Sequence, residues 1–213
     1  MIRNFPKMVI EASRREKNFF FVQVGAHDGK KHDPIHRYVV GMGWRGLLIE
    51  PIPRYFAKLK ETYRGIKGLK MANYAIAKKN GVAKIWGVSE RAPWWLWQLA
   101  RTKDSFAKDI MLKRTWFMPG LTEYIVEKTV KTSRLQAILK AYGVGAVSLY
   151  VIDTEGYDYE VIKQIDWAKN KPQYLYYEHM HLTNEDVLDA WEMLRRNGYR
   201  VEHDGRNTFA YSA

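Results

Sequence analysis

Carboxylate, imidazole and glycine residues recur in this sequence at one kind of position, directly after short apolar runs. FFFVQV is followed by Gly25-Ala26-His27-Asp28-Gly29, and GLLI by Glu50-Pro51; KMANYAIA carries Asn73 and Ala75. VSLYVI is followed by Asp153-Thr154-Glu155-Gly156, and YLYY by Glu178-His179-Met180-His181. Two glycines flanking a short turn let the backbone approach a ligand closely and adopt positive φ, as a nucleoside or an amino-acid-bearing cofactor requires. An acid 25 residues beyond Gly25 is placed to accept hydrogen bonds from both hydroxyls of a ribose. Asn73 and Ala75 offer a small polar and a small apolar side chain for an adenine edge. Asp153 and Glu155 leave their run at alternate positions and so share a face, where two carboxylates serve an amine, a metal ion or a proton. Glu178, His179 and His181 suit metal ligation or proton abstraction, since imidazole titrates near neutrality. Taken singly, each group also reads as an ordinary turn, a solvated acid or a structural histidine. Their recurrence after successive runs points to one rim.

The elements that must carry this rim alternate. An amphipathic helix over 2–17 leads into a first strand, FFFVQV; a helix over 34–42, opened by Pro34, leads into a second strand at 46–50, stopped by Pro51. Tyr55, Phe56, Leu59 and Tyr63 are spaced as on a helix ending at Gly65. KMANYAIA and VAKIWGV, either side of Asn80-Gly81, read as a strand and its neighbour. The alternation then resumes with a helix near 133–142, a strand at 147–153, a helix at 157–165 and a strand at 174–180. Thr183 caps a helix reaching Asn197, and Asp204-Gly205 turns a terminal hairpin. Repeated strand-helix units predict an α/β fold, a doubly wound, mostly parallel Rossmann-like sheet with a C-terminal antiparallel hairpin. In such sheets ligands bind at the carboxyl ends of the strands.

Residues 89–125 interrupt the rhythm. Trp94, Trp95, Trp97 and Trp116 sit there among Arg91, Arg101, Lys103, Lys113 and Arg114, and the segment reads as an inserted lid or substrate-binding segment in a single domain, 1–213. Its tryptophans either pack the insertion or offer stacking platforms. A chain of 213 residues with 46% hydrophobic and 27% charged residues can bury one sizeable core. With no cysteine, disulfides, thiolate nucleophiles and Cys-ligated zinc are excluded. No stretch reaches the roughly 18 apolar residues of a membrane span, and the charged first twenty residues hold no secretory apolar region. The expectation is a soluble, cytoplasmic protein with no transmembrane segment. Residues 1–146 hold 28 basic against 11 acidic residues, and residues 147–213 hold 7 against 12. So basic a body suits an anionic partner, or simply solvation.

FVQVGAHDGKKHDPIHRYVVGMGWRGLLIEPIPRYFAKLKETY, NYAIAKKNG and LYVIDTEGYDYEVIKQID together resemble the FkbM family of S-adenosylmethionine-dependent methyltransferases, from about residue 19 to the end apart from the tryptophan-rich segment. The resemblance implies a cofactor loop at Gly25-Ala26-His27-Asp28-Gly29, a ribose acid at Glu50 beside Pro51, an adenine neighbourhood at Asn73 and Ala75, and a methionine or methyl end near Asp153. Gln23, a further implied cofactor contact, stands where many relatives carry aspartate at the end of strand one. It can hydrogen-bond the methionine amine without adding charge. The activity implied is methyl transfer to oxygen, on a carbohydrate or other hydroxyl-bearing acceptor.

Such a transfer is an in-line displacement at a sulfonium, which requires alignment and exclusion of water. The acceptor hydroxyl needs a base or a metal ion. His179 is the first candidate base and His181 the second; Asp153 and Glu178 are candidate ligands of a Mg²⁺ ion. Methylation of RNA or DNA would also suit the basic surface, although an NPPY-like motif for base amines is missing. A noncatalytic protein that binds S-adenosylmethionine would explain Gln23 but would not need the acid and histidine rim.

Overall fold

The computed structural model describes residues 2, 4–95 and 120–212. Seven strands form the main sheet: β1 (Phe20–Val24), β2 (Arg45–Ile49), β3 (Leu69–Ala72), β7 (Leu149–Ile152), β8 (Tyr174–Glu178), β9 (Tyr199–His203) and β10 (Asn207–Ser212). Their spatial order is β3-β2-β1-β7-β8-β10-β9. The first five pair in parallel, and β10 runs antiparallel to both β8 and β9. This is the expected doubly wound sheet with its terminal hairpin. The order reverses between β1 and β7, so a crevice opens at the carboxyl ends of those two strands.

Alternation along each strand divides the core into two layers. Val22, Val24, Leu47, Ile49, Tyr150 and Ile152 face one layer, built with α4 (Leu135–Ala141), α5 (Asp158–Ile162) and α6 (Asn184–Arg196). Phe21, Leu48, Leu149 and Val151 face the other, built with α1 (Asn4–Arg15), α2 (His36–Met42) and α3 (Pro53–Thr62). Gln23 therefore shares the face of Phe21, toward α2. Thr183 caps α6 as expected, its hydroxyl accepting from Asp186 N–H at 3.1 Å.

One reading from the sequence is corrected. KMANYAIA does not form one strand with VAKIWGV beside it. The chain leaves the main sheet after Ala72, and β4 (Ala75–Ile76) and β5 (Gly81–Val88) flank β6 (Ile125–Ser133) in a separate sheet of order β4-β6-β5. At this exit the Asn73 side chain donates to Glu50 O at 2.8 Å and Pro51 O at 3.0 Å. Asn80 is likewise occupied outside any hairpin turn: its side-chain oxygen accepts from Ser133 Oγ at 3.1 Å and Arg134 N–H at 2.9 Å. β6 begins at the last residue of the expected insertion and went unrecognised, because its polar, largely unburied pattern carries no core signal. The segment read as an insertion thus joins the two long antiparallel strands β5 and β6. Within it Trp94 and Trp95 are exposed, whereas Trp97, Trp116, Arg101, Lys103, Lys113 and Arg114 lie outside the described residues.

Candidate active site

Register places the rim. Ala72, Ile49, Val24, Ile152 and Tyr177 pair successively across the five parallel strands, so the next residue of each, Asn73, Glu50, Gly25, Asp153 and Glu178, stands along one edge. The backbone ladder continues into this row: Gly25 N–H donates to Ile49 O at 2.9 Å, Glu50 N–H to Ala72 O at 3.0 Å and Asp153 N–H to Val24 O at 2.9 Å. Five residues far apart in sequence become neighbours because five strands end in step.

At the centre β1 turns sharply. Gly25 has φ +84°, and a Cβ there would stand 1.8 Å from Asp153 O, so only glycine lets β1 leave the sheet beside β7. His27 continues the turn at φ 49°, a conformation that non-glycine residues adopt at a cost. The compensation is a carboxylate clamp: Glu50, 4% exposed, accepts from His27 N–H at 2.8 Å and from Ile52 N–H at 2.9 Å. The His27 ring packs on Tyr55 with centroids 3.8 Å apart. Asp28 closes the loop by accepting from the N–H groups of Lys30 and Lys31. Burial opposes its charge, but these two bonds and His27 outweigh it and hold the carboxyl below its ordinary range. Gly29 serves packing, since a Cβ there would meet the Tyr63 and Leu59 side chains at 2.5 and 2.6 Å.

Two adjoining cavities follow the edge. The smaller, about 50 Å³, is lined by Gly25, Glu50, Tyr55 and Asp153 among others. The larger, about 420 Å³, runs from Gln23, Gly25 and Asp33 past Asp153 to Glu155, Glu178 and Arg206. Both include Gly25, His27, Asp153 and Glu155.

At the β7–β8 end, His181 Nε2 lies 3.2 Å from Glu155 Oε2 and 3.7 Å from Glu178 Oε2. The ligand-capable atoms of Glu155, Glu178 and His181 all fall within 4.8 Å of one another. Glu155 reaches this position from a left-handed backbone, φ 55°. Its loop is pinned by Asp158, which accepts from Thr154 N–H at 3.1 Å and Gly156 N–H at 3.2 Å. Full burial pushes the Asp158 carboxyl well above its ordinary range, with Asp153 and Glu178 repelling its charge in the same direction. Arg206 Nη2, 3.6 Å from Glu178 Oε1, brings a cation from the β9–β10 turn.

Of the residues expected from sequence, Gln23, Gly25, Ala26, His27, Glu50, Asp153 and Glu178 all line these cavities. Asn73 instead braces the Glu50-Pro51 backbone, and Ala75 packs with Ile52, Tyr55, Ile85 and Val130. His179 turns away from the cavity lining. Its Nδ1 lies 2.9 Å from Thr208 Oγ1, and its ring meets Trp191 and His203 edge-on. Burial, and then His203, hold its pKa below the ordinary value. The pair expected for a metal, Asp153 and Glu178, is not the set that converges: Glu155 and His181 cluster with Glu178. Sequence reading missed Asp33, Asp158 and Arg206. Asp158, five residues beyond Asp153 in DTEGYD, carried a signal as an acid opening a helix next to a glycine turn.

A family model described as Methyltransferase FkbM domain matches residues 23–201. No curated protein sequence matches the chain. Among solved structures, methyltransferase FkbM from Methylobacillus flagellatus KT shares 14% identity over 91% of this chain and 43% of its own, with a TM-score of 0.55. The chain thus spans under half the length of that relative. The METTL16 MTase domain shares 12% identity over 98% of this chain and 66% of its own, TM-score 0.52. The N-terminal domain of human METTL16 in complex with SAH also shares 12%, over 98% and 68%, TM-score 0.51. At these identities the likeness is one of fold.

Proposed function

The chain belongs to the FkbM methyltransferase family, a family of S-adenosylmethionine-dependent enzymes, and from that premise we propose that it methylates a hydroxyl of a sugar, glycan or similar small molecule. The observation that carries this reading is the Glu155–Glu178–His181 cluster, whose two carboxylates line the cavity that also contains the Gly25 turn while His181 stands behind them.

The residues present fit the cofactor. The Gly25 turn, which lines both cavities, and the buried carboxylate of Glu50 suit a nucleoside whose ribose hydroxyls would donate to Glu50. The Gly25–Gly29 turn would hold its amino-acid portion, and Asp153 would stand toward the methyl end. When bound, S-adenosylmethionine supplies a methyl group on a positively charged sulfur, open to in-line attack by an oxygen.

The protein's own part is to align the acceptor, exclude water and take a proton. Glu155 and Glu178 offer carboxylate oxygens to the acceptor hydroxyl, and His181, held between them, completes the proton-accepting group. His181 therefore takes the role first considered for His179, whose ring is engaged with Thr208, Trp191 and His203. A second reading of the same cluster has independent support: its ligand atoms lie close enough to share one ion, and two carboxylates with an imidazole are acceptable to Mg²⁺ only if water or acceptor oxygens complete the shell. Trp94 and Trp95, both exposed, are available to stack on a sugar face.

Incubation with methyl-labelled S-adenosylmethionine and separate carbohydrate and RNA pools tests the acceptor. Label in carbohydrate supports the proposal, and label in RNA alone overturns it. Turnover that persists in EDTA supports the protein base, whereas loss restored by Mg²⁺ supports the metal reading.

A further inference from the structure

Gln23 is 3% exposed and lies on the α2 side of β1. Its Nε2 donates to Asp33 Oδ2 at 3.2 Å. The opposite amide orientation would set two acceptors against each other, so the bond to Asp33 fixes which way the amide points. That leaves Gln23 Oε1 as a buried acceptor with no hydrogen-bond donor, an arrangement that proteins rarely leave without a purpose.

Asp33 is held just as firmly. Its Oδ1 accepts from Ile35 N–H at 2.7 Å and His36 N–H at 2.9 Å, which ties it to the start of α2 and leaves Oδ2 with Gln23 alone. No lysine, arginine or histidine forms an ion pair with it among the described residues. Burial pushes its carboxyl above the ordinary range, against the pull of Ile35, Gln23 and His36. Here the protein holds a desolvated carboxylate beside an orphaned amide oxygen, and both residues line the 420 Å³ cavity next to Gly25. The acids at the far end of that cavity differ, since Glu155 and Glu178 already face His181 and Arg206.

We propose that Asp33 and Gln23 form an ammonium-binding site that receives the α-amino group of the cofactor's amino-acid portion. An ammonium brings both missing things, a positive charge for Asp33 and N–H donors for Oδ2 and Oε1. The position agrees with the cofactor path proposed above, on which this inference rests: a nucleoside held at Glu50 sends its amino-acid tail past Gly25 to the Gln23 end of β1. Asp33, from the following loop, supplies the charge that Gln23 lacks. Asp33 is a binding residue here and takes no part in the proton step.

Calorimetry with S-adenosylhomocysteine and with its analogue lacking the α-amino group tests this without reference to turnover. Wild-type protein binds S-adenosylhomocysteine about 10- to 100-fold more tightly than the analogue, as expected for a charge-assisted contact. Asp33→Asn retains an oxygen for Ile35 and His36, and a flip of the Gln23 amide lets Oε1 accept from the new NH₂ group, so the loop stays folded and the site is lost. This variant binds both ligands with the affinity the wild type shows for the analogue. Gln23→Asp combined with Asp33→Asn returns a carboxylate to the strand end and restores the preference. An Asp33→Asn protein that still discriminates overturns the proposal, as does one weakened equally toward both ligands. If wild-type protein binds neither ligand, the cofactor path itself fails and the ammonium site with it. Wild-type binding of both with equal affinity refutes the ammonium site alone.

Discussion

Replacing Glu50 by glutamine isolates what its charge does, because the side chain keeps its shape. Glu50 accepts one backbone N–H on each carboxylate oxygen, from His27 at 2.8 Å and Ile52 at 2.9 Å. Glutamine offers one oxygen and one NH₂ group, so in either orientation one of these donors faces another donor. A hydrogen bond to a charged acceptor contributes about 1.5–3 kcal/mol, and an unsatisfied buried donor costs about 1–3 kcal/mol. A loss near 2–3 kcal/mol is therefore expected, since the surviving bond is weakened and the chain can relax partway. For a domain of this size that lowers the thermal midpoint by about 5–10 °C. Calorimetry with S-adenosylhomocysteine, run well below the lowered midpoint, is expected to show about tenfold weaker binding as the ribose hydroxyls exchange a charged acceptor for a neutral one. A Glu50→Gln protein that melts like the wild type would remove the clamp from the account. One that melts lower yet binds the nucleoside unchanged would leave the clamp and remove the ribose contact.

Gly25→Ala is expected to cost about 3 kcal/mol or more, combining left-handed strain of about 1–2 kcal/mol with a contact to Asp153 O that only separation of β1 from β7 relieves; chemical denaturation measures it, and a loss below about 1 kcal/mol refutes the close approach. Glu178→Gln is expected to lower kcat about 100-fold or more while affinity for S-adenosylhomocysteine stays within about twofold, as for loss of a proton acceptor; parallel loss of binding would move Glu178 out of the proton step. His179 has a depressed pKa in the folded state, so below about pH 6.5 the unfolded chain binds the extra proton first and stability falls with falling pH. His179→Gln should flatten the fall in thermal midpoint below about pH 6.5, and an unchanged slope would assign that pH dependence to other groups.

The main sheet was legible because its strands are short apolar runs closed by glycine, proline or acid, and because the two-residue period divides them between layers as their burial does. The rim was legible for the same reason: in a parallel sheet with strands ending in step, the residue after each apolar run must meet its counterparts. Side-chain direction beyond that residue was not. His179 and His181 look equivalent in EHMHL, yet the strand ends at Glu178. His179 is drawn to Thr208 on β10, and His181 lies past a turn that swings it back toward Glu155. Asp153 and Glu155 look like a pair for similar reasons, until the left-handed backbone at Glu155 redirects its side chain toward Glu178. β6 was invisible because it contributes only Val130 to a small cluster apart from the two main layers, and its identity as a strand depends on β5, which lies across residues 89–124.

The uneven distribution of charge bears on the choice between a sugar hydroxyl and nucleic acid. The body of the protein is basic, but Asp153, Glu155 and Glu178 come from its acidic last third and line the end of the cavity where the proton step is proposed. A phosphate at about 4–6 Å from several carboxylates is strongly disfavoured where water is partly excluded. A ribose hydroxyl within an RNA strand has phosphates on both sides and would carry them into this region. A neutral sugar hydroxyl would not. Anionic groups elsewhere on an acceptor could still reach Lys31 or Arg206, which border the same cavity; on the proposed reading the basic surface would attract a charged substrate while the acidic cluster would favour its uncharged end. Charge reversal at the rim separates the two effects: Arg206→Glu should weaken turnover of an acidic glycan in a salt-dependent way and leave a neutral glycan within about twofold, because screening acts on the exposed contact far more than on the buried cluster. Equal losses for both glycans would mean that Arg206 acts by holding Glu178 and does not meet the acceptor.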